Sequence, residues 1–349
     1  MRKCVGMLLF CLMVGSMAGS SFAATQYLVG AADGQSFNWN VGASWTAGVV
    51  PANATADELK LCGSLVANGD NYTVTVSTNV GNYTSNKIDT ARASTLKVVA
   101  GGYIGNGREI HIGDAGATGN GGVLSDIGYL VQTGGQVDIT AGGTYVGKLQ
   151  IGYKNGGNGT YTMSGGSLTG TQGRMYLGCS GPLAVGESAT GKFKIVGIDP
   201  LISLGGNLYI ANDSETAVGS QGTGTVEFVL NVLGGVSKMQ VNKSVIDSQN
   251  TAAAVANLLV TVTGVAPLSN ILLIEDTNTA GVVGKFDTLN SGSAAEGASV
   301  VLGGITYTLT YKFAAGVDGI TNDIALIVPE PATIALLGLG LLAMRRNKK

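Results

Sequence analysis

The chain has one histidine, His111, and that single imidazole limits the chemistry available to it. A metal site built from several histidines is excluded, and a Ser-His-Asp triad would have to use His111. The residue stands between Ile110 and Ile112, an alternation that reads as a strand with the imidazole on its solvent side. Glycoside hydrolysis needs two carboxylates converging about 5–10 Å apart, and lyase chemistry needs clustered acids beside Arg or Lys. Asp114, Asp126 and Asp138 are spread along one stretch, and Arg108 and Arg174 stand by themselves. All five read as solvated loop residues. GVVGKF at Gly281 lacks the Walker spacing and the Ser or Thr that should follow, and the GxGxxA pattern from Gly338 to Ala343 falls inside an apolar tail. Calcium loops with regularly spaced Asp are absent from the sequence. The reading is therefore no catalytic residue, no cofactor-binding or metal-binding residue, no cofactor and no enzyme. Tyr145, Tyr153, Tyr161, Tyr176 and Tyr209 could stack on sugars if one exposed groove collected them.

The elements that must carry these side chains are short strands in a repeat. Between about 101 and 245 two phrases alternate. One is an apolar strand ending at a glycine-like position: IHIGDAG from Ile110, LQIGYKNG from Leu149, MYLGCSG from Met175 and LYIANDS from Leu208. The other is led by glycine: GYLVQTGGQVDI from Gly128, GTYTMSGGSLTG from Gly159, GKFKIVGIDPLI from Gly191 and GTVEFVLNVLGG from Gly224. The glycine-led starts lie 31, 32 and 33 residues apart, a structural period. Within each phrase large apolar side chains alternate with polar ones, the pattern of a half-buried strand. The pairs Gly134-Gly135, Gly165-Gly166 and Gly234-Gly235 sit where the chain would turn a corner. A unit of ~32 residues cannot bury its apolar side alone, whereas stacked copies about 4.8 Å apart can. The expected fold is all-β: a short right-handed parallel β-helix, or β-solenoid, with an antiparallel β-sandwich as the alternative. Ile151 and Leu177 should point inward at equivalent levels, and Lys154 outward.

Composition agrees. Of 349 residues 56 are glycine, more than twice the ~7 % average, and glycine supplies the positive φ angles that tight turns need. Charged residues make up only 12 % and hydrophobic ones 45 %, which argues against disorder. Removing Arg2, Lys3, Arg345, Arg346, Lys348 and Lys349 from the 20 basic residues, and Glu330 from the 22 acidic ones, leaves 14 against 21. A body near −7 disfavours nucleic acid or anionic lipid as a partner. Cys62 and Cys179 show no metal-type spacing and could be a disulfide or two buried thiols.

The two ends read as addresses. Arg2 and Lys3, a run of roughly ten apolar residues, and Ser21-Phe22-Ala23 form a signal peptide over 1–23, cut by signal peptidase between Ala23 and Ala24. At the other end, Pro329-Glu330-Pro331 precedes an apolar segment over 332–344 and a basic stop of Arg345, Arg346, Lys348 and Lys349. That segment reaches only about 20 Å, short of the ~30 Å hydrocarbon core, so it holds the inner membrane transiently. The order of parts over 329–349 resembles the PEP-CTERM sorting signal of Gram-negative bacteria. The resemblance implies recognition by an exosortase-type sorting protease, processing near the motif, and delivery to the outer envelope, cell surface or extracellular matrix.

Between the ends, 24–100 carries Trp39 and Trp45 in FNWNVGASWTAGVVPANATADELKL. This stretch is similar to the opening of autotransporter-like β-solenoid proteins and would serve as an N-terminal β cap. The strands over 246–328 form a C-terminal antiparallel unit, and YTLTYKFAAGVDGITNDIAL resembles the segment that precedes PEP-CTERM tags in such proteins. Taken together, the sequence predicts a structural or adhesive surface protein, with exopolysaccharide as a possible partner. The alternative is a carbohydrate-binding module or degenerate polysaccharide lyase on a β-helix.

Overall fold

The computed structural model describes residues 26–27, 35–42, 45, 58–61, 72–83, 87–90, 93–106, 108–114, 127–140, 146–153, 156–178, 188–197, 199–211, 222–231, 238–246, 254–314 and 321–328. These are organised as three parallel ladders that share one core, with no α-helix among the described residues. The first ladder stacks Ser36–Asn38, Thr73–Val76, Ser94–Val98, the leading half of Ile127–Asp138, the leading half of Asn158–Gly170, Thr190–Val196, Thr223–Asn231, Val255–Thr263 and Thr288–Leu289. The second stacks Asn79–Tyr83, Tyr103–Asn106, the trailing halves of Ile127–Asp138 and Asn158–Gly170, and the starts of Leu201–Ile210 and Met239–Ile246, ending at Ile271–Asp276. The third stacks Gln26–Tyr27, Glu58–Lys60, Lys87–Thr90, Glu109–Asp114, Lys148–Tyr153, Arg174–Leu177, the ends of Leu201–Ile210 and Met239–Ile246, and Val283–Gly284. This is a β-solenoid; the parallel pairing displaces the sandwich alternative.

The register is the one that the two sequence phrases imply. Gly128, Gly159, Gly191 and Gly224 pair in series, as do Ile110, Leu149, Met175 and Leu208. Ile151 and Leu177 face each other across neighbouring coils, both fully buried, whereas Lys154 lies outside the described residues. Parallel pairing starts before residue 101 and runs past residue 245, so the coils extend beyond the stretch in which the repeat is legible. Trp39 and Trp45 join the core near the N-terminal end, in edge-to-face contact at 5.1 Å, with the Trp45 indole N–H donating to the Trp39 carbonyl at 3.1 Å.

One corner depends on glycine. Gly113, Gly152 and Gly178 end third-ladder strands at φ of 74°, 70° and 62°. A Cβ on them would lie 2.2, 2.0 and 2.1 Å from the carbonyl oxygens of Asn158, Thr190 and Thr223. In the coil where the phrase reads LYIANDS, Ala211 takes this left-handed place at φ 51°. Inward positions are large and apolar, including Leu130, Tyr161, Phe193, Val226 and Leu258 in one row of the first ladder. The last coil is closed by antiparallel strands: Ile271–Asp276 pairs with Asp323–Ile327, which pairs with Ile305–Phe313, which pairs with Ser299–Leu302. An exposed parallel edge would invite pairing with other chains, and this unit occupies the edge of the second ladder.

Candidate functional site

One row of the third ladder holds the single histidine beside a buried acid. Successive coils place Asp89, His111, Gln150, Tyr176, Tyr209, Val245 and Val283 at equivalent positions. Their neighbours Ile110 and Ile112 point into the solenoid core, so strand alternation sends this row to the other face. That face is not solvent: His111 is 1 % exposed, Asp89 1 %, Gln150 7 % and Tyr209 5 %. The surface placement expected for His111 is therefore corrected. Alternation gave the right side of the strand, but the outer side of this ladder is itself buried.

Three carboxylates address the imidazole. His111 Nδ1 is 2.8 Å from Asp89 Oδ1 and 3.1 Å from Asp114 Oδ2, and Nε2 is 3.4 Å from Glu109 Oε2. Asp89 reaches His111 because the two residues pair directly across adjacent coils. Asp114 reaches it for a different reason. Residues three apart in a regular strand point to opposite faces, but the left-handed Gly113 between them reverses the alternation and returns Asp114 to the His111 side. Asp114 is 3 % exposed, so its reading as a solvated loop residue is also corrected.

Tyr153 completes the arrangement. It pairs with Asp114 in the next coil and lays its ring on the imidazole, with centroids 4.2 Å apart and planes 27° from parallel. Lys148 Nζ meets Glu109 Oε1 at 3.3 Å, one coil apart. Burial alone would push the His111 imidazole toward its neutral form, but the charge of Asp89 and hydrogen bonds to Asp114, Asp89 and Glu109 hold its pKa well above the usual value of 6.5. The Tyr153 hydroxyl is pushed up to about 12, first by burial and then by Glu109, Asp114 and Asp89. The imidazole thus lies among three carboxylates with an aromatic ring stacked on its face. Among the described residues both imidazole nitrogens face acids.

Asp89, His111 and Asp114 each offer a ligand atom, all within 4.8 Å of one another. One imidazole nitrogen and two carboxylate oxygens form a donor set suited to a divalent transition ion. Asp89, Glu109 and Gln150 went unremarked in the sequence because the coils differ in length on this face. Asp89 precedes His111 by 22 residues and Gln150 follows it by 39, so the ~32-residue period does not align them.

The other candidates disperse. Asp138 lies half-buried in a strand rather than a loop, with its Oδ2 accepting from the Tyr103 hydroxyl at 3.4 Å and its Oδ1 from the Thr140 backbone N–H at 2.9 Å. Arg108 is half-buried and Arg174 is exposed on a third-ladder strand. Tyr161 is in the core, its hydroxyl donating to Gln132 Oε1. Tyr176 and Tyr209 stack on each other at 4.7 Å and 8° and are buried. With Tyr153 on His111, these four tyrosines form no common exposed groove. Gly281 closes a turn, its N–H donating to the Asn278 carbonyl at 3.2 Å, that leads to Val283–Gly284 in the third ladder. Asp126, Tyr145, Cys62, Cys179, the cleavage pair Ala23 and Ala24, the motif Pro329, Glu330 and Pro331, and the basic stop Arg345, Arg346, Lys348 and Lys349 lie outside the described residues. So does the apolar segment 332–344; among the described residues no helix is long and apolar enough to cross a membrane.

The PEP-CTERM protein-sorting motif matches residues 328–349. No curated protein and no solved structure matches the chain. The motif is a substrate signal for exosortase processing, so the chain is an exported protein of a bacterial envelope or surface.

Proposed function

We propose that the protein is a non-enzymatic structural or adhesive component of the cell surface or extracellular matrix, released to that place by an exosortase-type protease after signal-peptide removal. The observation that carries this reading is the set of short polar side chains hydrogen-bonded from coil to coil on the solenoid's flanks. Asn242 donates to Asn207 at 2.7 Å and Asn278 to Asn242 at 3.4 Å. Thr288 donates to Asn257 at 2.7 Å and Asn257 to Thr225 at 3.4 Å. On the second ladder Gln136 donates to Thr169 and Ser203 to Gln240, both at 3.2 Å. Such ladders tie neighbouring coils together at little cost in charge, which suits a rigid element displayed outside the cell.

The dispersed tyrosines speak against the sugar-binding alternative, since stacking on a glycan needs several exposed rings in one surface. The test is intact mass and location of the protein in its host, with and without the sorting protease, combined with surface attachment of a strain lacking the gene. A species starting at Ala24, truncated near Pro329, found outside the cell and needed for attachment supports the proposal. A protein that still carries Lys349 and stays in the inner membrane overturns it, as does micromolar glycan binding with unchanged attachment.

A further inference from the structure

We infer that Asp89, His111 and Asp114 form a binding site for one divalent first-row transition cation, which staples two consecutive coils of the solenoid. Three observations converge. The first is geometric: Nδ1 of His111 faces oxygens of both Asp89 and Asp114, at 2.8 and 3.1 Å. Zn²⁺ holds nitrogen and oxygen donors at about 2.0–2.2 Å, so its ligand atoms lie about 3.4 Å apart. Those two sides fall about 0.6 and 0.3 Å short of that spacing, and all three ligand atoms lie within 4.8 Å of one another, so small side-chain shifts would seat an ion.

The second is the cost of the arrangement weighed against what the fold requires. Burying carboxylates with a paired imidazole is often no more stable than an apolar filling of the same space. Four further positions of the same row hold Tyr176, Tyr209, Val245 and Val283, of which the first three form a buried apolar cluster with Val283 packed against it. A third-ladder coil therefore closes well with aromatic or aliphatic side chains here. The acids and imidazole in the earlier coils are thus not demanded by the stacking, which frees them for a separate role.

The third is the turn at Gly113. Its left-handed φ of 74° is what brings Asp114 to the imidazole. The ligand set therefore comes from two coils, Asp89 from one and His111 with Asp114 from the next, and Tyr153 from a third coil lies over the ring. An imidazole with two carboxylates suits Zn²⁺, Co²⁺ or Mn²⁺, whereas Ca²⁺ and Mg²⁺ prefer all-oxygen shells. Three protein donors leave one tetrahedral position for water or a group from outside.

The test uses the exported form of the protein, stripped with chelator and dialysed against Zn²⁺ at neutral pH, with metal counted by elemental analysis. One equivalent of Zn²⁺, a rise in Tm on rebinding and d–d absorption on Co²⁺ substitution are expected. Asp114→Asn and His111→Gln should each weaken binding at least tenfold while the β-sheet circular dichroism is kept. Tyr176→Phe, in the apolar part of the row, should leave the stoichiometry unchanged. If a variant fails to fold, the wild-type titration and the Co²⁺ spectrum decide. Less than a tenth of an equivalent of Zn²⁺, Co²⁺ and Mn²⁺ on the folded wild-type chain would overturn the site, as would full retention by folded Asp114→Asn and His111→Gln chains.

Discussion

The third ladder contains two halves with the same geometry and opposite chemistry. In the earlier coils the covered row reads Asp89, His111 and Gln150; in the later ones it reads Tyr176, Tyr209, Val245 and Val283. Backbone pairing is parallel throughout, and every member but Val283 is buried. In the later half the ladder spacing of about 4.8 Å is also a stacking distance, and Tyr176 and Tyr209 meet face to face at 4.7 Å. In the earlier half the same spacing brings a carboxylate to an imidazole. One backbone solution thus serves either hydrophobic closure or a charged cluster, and the difference separates what the solenoid requires from what has been added to it.

The largest effect should come from the inward row that both halves share. Ile151→Asp places an uncompensated charge against Ile112 and Leu177 and should abolish folding, whereas Thr162→Asp on the half-buried outer side of the first ladder should cost less than about 1 kcal/mol. Circular dichroism and urea titration separate these results, and equal effects would break the assigned register. Next comes Gly113→Ala. The left-handed turn and the approach to Asn158 should together cost about 2–4 kcal/mol, and Asp114 should leave the imidazole. A variant with unchanged Tm would show that the corner relaxes freely.

The comparison is sharpest when one half is rewritten as the other. Tyr209→Ala should cost about 2–4 kcal/mol through lost packing and stacking. Replacing Asp89, His111 and Asp114 together by leucine should leave metal-free stability within about 1 kcal/mol or raise it, because apolar residues often replace buried ion clusters without loss. A penalty for the triple variant as large as that for Tyr209→Ala would mean that the charged half is structurally required after all.

A pH-dependent effect belongs to a buried acid that faces another acid. Asp276 accepts from the Ser244 hydroxyl at 2.7 Å and backbone N–H at 2.9 Å, while its own N–H donates to Asp323 at 3.0 Å. Burial, with a further push from Asp323, raises its pKa from 3.8 to about 6, against the pull of Ser244 and Lys243. The folded state therefore holds this proton more tightly than the unfolded one. Its contribution to stability falls as pH rises from about 4 to 6, by an amount on the order of 2–3 kcal/mol. Asp276→Asn should flatten that part of the stability profile in urea titrations at pH 4.5 and 7, and an unchanged slope would remove the assignment.

Much of this architecture was legible in the chain. Gly128, Gly159, Gly191 and Gly224 mark one corner of each coil because a Cβ there has nowhere to go; on Gly159 or Gly191 it would lie 2.0 Å from a carbonyl oxygen of the preceding coil. The apolar inward positions and the sorting motif over 328–349 were equally visible, being local patterns of residue type. Three-dimensional packing decided the rest. His111 alternates with isoleucines as a surface residue would, and only burial of the third ladder's outer side makes it interior. Asp89 joins it through a coil of irregular length, and Asp114 through the φ of a single glycine. Periodicity reports which way a side chain leaves its strand, but not what lies on that side, so the core could be read in advance and the site could not.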